Sequence, residues 1–203
     1  VGLGFRRVLC RSAALYEEAV ARREGTVVTG GALVCRTGLH TGRSPRDRFL
    51  VDELSSSGNI AWGEINRAIS SEQFEAVHQT VVEHLKGKDL FVQDCYAGAD
   101  PDHRLAIQVV TETAWHSLFA RNMFIGRNSG EPAEFTIVSV PNFHAIPQVD
   151  GTNSEAFVLL NFARKMVLIC APFLEDGACA VIAVRRAYLA LLMGARCQVA
   201  LCA

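Results

Sequence analysis

The chain lacks an excess of charge of either sign: 20 Lys and Arg face 21 Asp and Glu, for a formal net charge of −1. A protein that holds nucleic acid through phosphate contacts needs a basic surface, so that class is excluded. Long apolar runs are missing too. Arg185, Arg186 and Arg196 interrupt the candidates near residue 190, and none approaches the roughly 18–20 residues that span a bilayer. No partnership with a membrane is expected. The seven cysteines are odd in number and contain no C-x-x-C pair. That pattern argues against a disulfide framework or a zinc site, and for small buried hydrophobes in a reducing compartment. No N-x-[ST] acceptor occurs, and the opening Val1-Gly2-Leu3-Gly4-Phe5-Arg6-Arg7 is too short and polar for a signal peptide. A cytoplasmic location is expected. No G-x-x-x-x-G-K-[ST] run is found, so no loop recognisably cradles a triphosphate. Internal repeats and low-complexity segments are absent as well.

What is present suits one domain with a small appendage. Half of the 203 residues are hydrophobic, enough for a sizeable core. Ser12 is placed to cap a helix running to about Arg23, with Leu15 and Ala19 on its apolar side and Glu17 and Glu18 near its positive end. Short strands are expected around Val27-Val28, 31–36 and 47–52. Ser70 with Gln73 makes a capping box, and Phe74, Val77, Val81 and Leu85 share one face of the helix that follows, which Gly87 ends. Strands are expected at Leu90-Phe91-Val92 and from Ile107 to Val110. Thr111 then caps a helix whose Trp115, Leu118, Phe119 and Met123 read as core. Strands at about 135–140, 155–161 and 165–170 complete the pattern, the last two joined by a tight turn at Ala163-Arg164. The predicted class is α/β, a mixed sheet with flanking helices. Lys86 and Lys88 are explained as cations at a helix C-terminus. His103 and His116 have no ligand partner at i+4, so no metal site is expected in this chain.

The stretch with most chemical content is Thr37-Gly38-Leu39-His40-Thr41-Gly42-Arg43-Ser44-Pro45-Arg46-Asp47-Arg48-Phe49, after the apolar Ala32-Leu33-Val34-Cys35. Two Thr-Gly pairs and a Ser-Pro favour tight turns, and glycine frees backbone N–H groups. With the Arg43 guanidinium these make a receptor for a carboxylate or phosphate. His40, Thr41, Gly42 and Ser44 are its candidate neighbours. The same residues also suit a plain strand–loop–strand with solvated charges, His40 facing water.

The run resembles the T-G-R-S-P-[KR]-D-[KR]-[FY] segment of ATP-dependent phosphoenolpyruvate carboxykinases. A second block agrees: Leu90-Phe91-Val92-Gln93-Asp94-Cys95-Tyr96-Ala97-Gly98-Ala99-Asp100-Pro101, Arg104-Leu105, Thr111-Glu112-Thr113-Ala114-Trp115 and Leu118 through Ile125. A third comprises Glu134-Phe135-Thr136-Ile137-Val138, Asn153-Ser154-Glu155 and Arg164-Lys165-Met166-Val167-Leu168-Ile169. The blocks lie in the family's order over about residues 14–169 and resemble its amino-terminal domain alone. Two departures are local. Gln108 stands where the family usually has a second Arg, and Ile125-Gly126-Arg127 replaces Ile-Arg-Pro.

The resemblance implies a lyase of gluconeogenesis, a decarboxylase that converts oxaloacetate and ATP to phosphoenolpyruvate, CO2 and ADP. Decarboxylation leaves an enolate that attacks the γ-phosphoryl group, chemistry that needs a divalent metal, a phosphate cradle and cations for the substrate carboxylate. Arg43 matches the arginine that binds that carboxylate, and its planar fork suits bidentate contact. ATP and Mg or Mn are the full-length family's cofactors. None is expected to bind tightly here, because the paired lysines, the metal-binding histidine and the acidic ligands lie beyond the matching region. Residues 1–169 thus read as a carboxykinase-like substrate-binding domain of a truncated protein lacking the nucleotide-binding domain, and no catalytic residue is assigned to the chain.

Residues 170–203 differ: four of the seven cysteines, no His, no Lys and two acidic residues. A shifted reading frame or an unrelated addition would produce such a break. The tail is expected to form a helix over about 178–194 and to dock weakly, leaving apolar surface through which copies self-associate. Two other readings stand beside an inactive carboxykinase fragment: a non-catalytic module that binds an anion or a protein, and a degenerate product.

Overall fold

The structure, a computed structural model, describes residues 6–8, 12–35, 47–64, 66–128, 130 and 132–170. In chain order these form β1 (Arg6–Val8), α1 (Ser12–Ala21), β2 (Gly25–Val27), β3 (Leu33–Cys35), β4 (Arg48–Val51), β5 (Arg67–Ile69), α2 (Ser71–Leu85), β6 (Asp89–Ala97), β7 (Leu105–Thr111), α3 (Ala114–Met123), β8 (Ile125–Gly126), β9 (Phe135–Val140), α4 (Pro147–Asp150), β10 (Phe157–Asn161) and β11 (Met166–Cys170). Two expectations lie outside these residues: the run 37–46 with His40, Thr41, Gly42, Arg43 and Ser44, and the tail helix over 178–194.

The central strands are unbroken apolar runs because both of their faces are covered. Along β10, Val158 and Leu160 point into one core and Phe157 and Leu159 into the other. β4 and β11 alternate in the same way, with Leu50, Val167 and Ile169 on the first side and Phe49, Val51, Leu168 and Cys170 on the second. The second side is closed by α2. Phe74, Val77, Val81 and Leu85 are all buried, as the helical spacing predicts, and the Ser70–Gln73 capping box is formed. Gly87 follows at φ +76°, a backbone state that costs glycine little.

The main sheet is mixed, in the order β1–β6–β7–β9–β11–β10–β4–β5, with β8 beside β6; β2 and β3 form a separate hairpin. β10 and β11 pair antiparallel across the 162–165 turn, as the sequence pattern anticipates. The register defines one end of the sheet. Arg48 lies beside Val158, Phe157 opposite Cys170, Cys170 beside Val140, Ser139 beside Thr111, and Thr111 opposite Phe91. The entries of β4 and β10 and the exits of β7, β9 and β11 therefore line one edge. No helix among the described residues is long and apolar enough to cross a membrane.

Helix α3 differs from the sequence reading. Its N-cap is Thr113, not Thr111, and the Thr113 side chain does not cap it. Glu24 does so from 91 residues away, its Oε2 accepting the Trp115 N–H at 2.9 Å. Burial pushes the Glu24 carboxyl above its usual range, while the Trp115 amide pulls it back. The buried face of α3 is Ala114, His116, Ser117 and Ala120, small or polar residues that let the helix lie close to the sheet. Trp115 and Leu118 are half-buried and pack instead against the cluster of Leu15, Ala19 and Phe91 that joins α1 to α3. Phe119 and Met123 are half-buried as well.

Beneath α3, His116 Nδ1 shares a 2.6 Å hydrogen bond with the Thr113 hydroxyl, and its Nε2 is buried with no partner. Burial pushes this imidazole down to about 3, from an ordinary value of 6.5. The folded chain thus keeps His116 neutral where the unfolded chain protonates it. Stability is fully present above pH 6.5 or so and is lost as pH falls towards 3, about 2 kcal/mol by pH 5. Unfolding temperatures between pH 7 and 5 should fall more steeply for the wild type than for His116→Gln. Parallel slopes would show that His116 does not govern the acid response.

Candidate functional site

Asp47 is the first described residue after the Arg43 run. Arg48, next to it, is locked beside Val158 in the parallel ladder, and both residues are buried. The Asn153 side-chain amide donates to Asp47 Oδ1 at 3.4 Å, across 106 residues. Asn153 and Ser154 lie in a bend before β10, as the sequence suggests. The Ser154 hydroxyl is engaged locally, donating to Ala156 O at 3.1 Å and accepting from Ala156 N at 3.2 Å. Thr152 Oγ1 donates to Ser154 O at 2.8 Å, and the Glu155 carbonyl accepts the Ala145 N–H at 2.9 Å. The bend is therefore tied at several points. Of the sequence-predicted site residues, Arg43, His40, Thr41, Gly42 and Ser44 lie outside the described residues; the structure supplies the platform at which their segment joins the sheet.

A charged cluster that spacing did not reveal occupies the same end. Lys88 Nζ lies 2.7 Å from Glu112 Oε2, and His84 Nε2 lies 3.1 Å from that oxygen. Lys88 Nζ is also 2.7 Å from His84 Nε2, and Glu112 Oε1 accepts the Asn142 N–H at 2.9 Å. The Glu112 side chain is only 3% exposed. The helix dipole is thus an insufficient account of Lys88, whose main role is to neutralise a buried carboxylate. His84 and Lys88, four residues apart, carry a local signal. Glu112 carries none, because it arrives from the end of another strand.

Towards the opposite end, the two sequence departures meet. Gln108 Nε2 donates to Asp94 Oδ1 at 2.9 Å, and an Arg127 guanidinium nitrogen lies 3.4 Å from the same oxygen. Tyr96 lies under the Arg104 guanidinium at 3.8 Å. These contacts bind β6, β7 and β8 together. Cys95, nearby, is buried and its thiol is pushed up to about 12 by burial, so it is no nucleophile near neutral pH. His103 pairs with Asp100 at 2.7 Å on the surface.

Among the described residues no group of three or more His, Cys, Asp or Glu is arranged to hold a metal ion. Together with the missing triphosphate-loop motif, the residues described do not fit ATP or its metal.

The architecture is that of an α/β domain whose mixed sheet gathers polar connections at one end. The chain belongs to the phosphoenolpyruvate carboxykinase family, whose model matches residues 9–173. It is 49% identical over 162 residues to the phosphoenolpyruvate carboxykinase (ATP) of Geotalea uraniireducens, covering 78% of this chain and 31% of that protein. The enzyme of the same name from Thermus thermophilus is 49% identical over 166 residues, covering 78% and 31%, and that of Brevibacillus brevis is 52% identical over 160 residues, covering 76% and 30%. The chain thus spans less than a third of the length of these curated relatives. The family read from the three sequence blocks and the family matched are the same.

Proposed function

We propose that the chain is the amino-terminal, substrate-binding part of an ATP-dependent phosphoenolpyruvate carboxykinase, with Arg43 as the receptor for the carboxylate of oxaloacetate or phosphoenolpyruvate. The observation that carries this reading is the family match over residues 9–173, which includes the whole Arg43 run. The complete enzyme would act in gluconeogenesis in the cytoplasm, converting oxaloacetate and ATP to phosphoenolpyruvate, CO2 and ADP. In this chain Arg43 binds and orients a carboxylate, and no step of phosphoryl transfer is assigned to its residues. Residues 1–169 are the binding domain, and 170–203 a divergent tail through which copies self-associate.

A charge-assisted contact is worth roughly 1.5–3 kcal/mol. Arg43→Ala is therefore expected to weaken phosphoenolpyruvate binding about ten-fold or more. Titration calorimetry on the two proteins checks this, and equal affinities would remove Arg43 from the site.

The isolated chain is expected to show no ATP-dependent formation of phosphoenolpyruvate. A coupled assay with oxaloacetate, ATP, Mg and Mn should give only the metal-catalysed decarboxylation of the buffer. ATP-dependent product from pure chain would mean that it holds a nucleotide site of another kind.

A further inference from the structure

We propose that Asn153 is a positioning residue for Arg43: it holds Asp47, and through Asp47 sets the point at which the chain following Arg43 enters β4. The inference rests on the reading of Arg43 as the carboxylate receptor.

The two residues belong to distant parts of the sequence, and the parallel pairing of β4 with β10 brings them together, with Arg48 beside Val158. The Asn153 Nδ2 donates to Asp47 Oδ1 at 3.4 Å. Asp47 is 7% exposed, and a carboxylate taken from water needs donors around it. Asn153 itself is exposed. Its side chain fills no core, so packing does not account for its contact with Asp47. Its support is stiff, because Thr152, Ser154 and Glu155 tie the bend to its own backbone and to Ala145. The downstream side is equally constrained, since Arg48 is buried and register-locked. Upstream, only Ser44, Pro45 and Arg46 separate Asp47 from Arg43. Proline fixes its own φ and restricts the residue before it, so a displacement at Asp47 is poorly absorbed over so short a connection. Placement of a guanidinium against a carboxylate tolerates little error.

The test uses the full chain with phosphoenolpyruvate as probe. Calorimetry on wild type, Asn153→Ala, Arg43→Ala and their double variant forms a cycle. Asn153→Ala should weaken binding about three- to five-fold, with an unchanged unfolding temperature. It should add no further loss in the Arg43→Ala background. The exchanged pair Asp47→Asn with Asn153→Asp, which restores an amide facing a carboxylate, should recover affinity. Unchanged affinity in Asn153→Ala, an equal loss in the Arg43→Ala background, or no recovery in the exchanged pair would each overturn the proposal. If wild type binds no phosphoenolpyruvate, or Arg43→Ala binds it equally well, the Arg43 reading fails by itself. Hydrogen exchange over residues 47–50 then judges the contact without ligand. Faster exchange in Asn153→Ala, slowed again in the exchanged pair, sustains the Asn153–Asp47 link, and equal rates overturn it.

Discussion

Replacing Lys88 by methionine is expected to destabilise the chain by about 3 kcal/mol near neutral pH, a fall of roughly 6–12 °C in unfolding temperature. The reason is the carboxylate it leaves behind. Glu112 Oε2 lies 2.7 Å from the Lys88 ammonium, in a side chain only 3% exposed. Without Lys88 the carboxylate keeps the Asn142 amide on Oε1 and the His84 imidazole beside Oε2. A neutral amide and a neutral ring replace little of an ammonium's attraction in a desolvated site. Lys88 is itself partly open to water, which places the cost at the low end for breaking a buried pair. Adding Glu112→Gln to Lys88→Met should recover much of the loss, because the uncompensated charge goes with it. A cost below about 1 kcal/mol for Lys88→Met, the size of a surface pair, would show that Glu112 finds solvent or another cation once Lys88 is gone.

Phe74→Ala should cost about 3–5 kcal/mol. The ring is fully buried and belongs to the cluster that joins α2 to β4, β10 and β11 through Phe49, Phe157 and Leu168. Truncation removes the contacts that seat the helix on one face of the sheet and leaves a cavity that backbone ladders on both sides prevent from collapsing. Denaturant unfolding with a common slope measures the difference. Leu54→Ala serves as the comparison: Leu54 is fully exposed, and its removal should change stability by less than about 0.5 kcal/mol. Similar midpoints for the two variants would mean that α2 does not depend on this face for its place on the sheet.

Local patterns and distant contacts were not equally legible. The buried face of α2 is visible in the spacing of Phe74, Val77, Val81 and Leu85, and its start in Ser70 and Gln73, because cap and face both act within a few turns. The hairpin of β10 and β11 is visible for the same reason: two apolar runs flank a short turn. Helix α3 shows where such reasoning stops. Helical spacing picks out Trp115, Leu118 and Phe119 as an apolar face, yet the side laid on the sheet carries Ala114, His116, Ser117 and Ala120. Spacing identifies a face and leaves open which neighbour covers it. Here small residues allow close approach to the sheet, while Trp115 and Leu118 meet α1.

The sequence by itself determined the family, the α/β class and most of the elements, since three motif blocks in order and local periodicity survive without coordinates. It also determined that no triphosphate-loop motif lies in the chain. Only the tertiary structure decided that Glu24 caps α3, that Lys88 and His84 meet Glu112, and that Asn153 reaches Asp47. Each of these contacts joins residues 24 to 106 positions apart. A buried polar group must find a partner, but which one it finds is set by strand order and register, and those follow from pairing across the whole sheet.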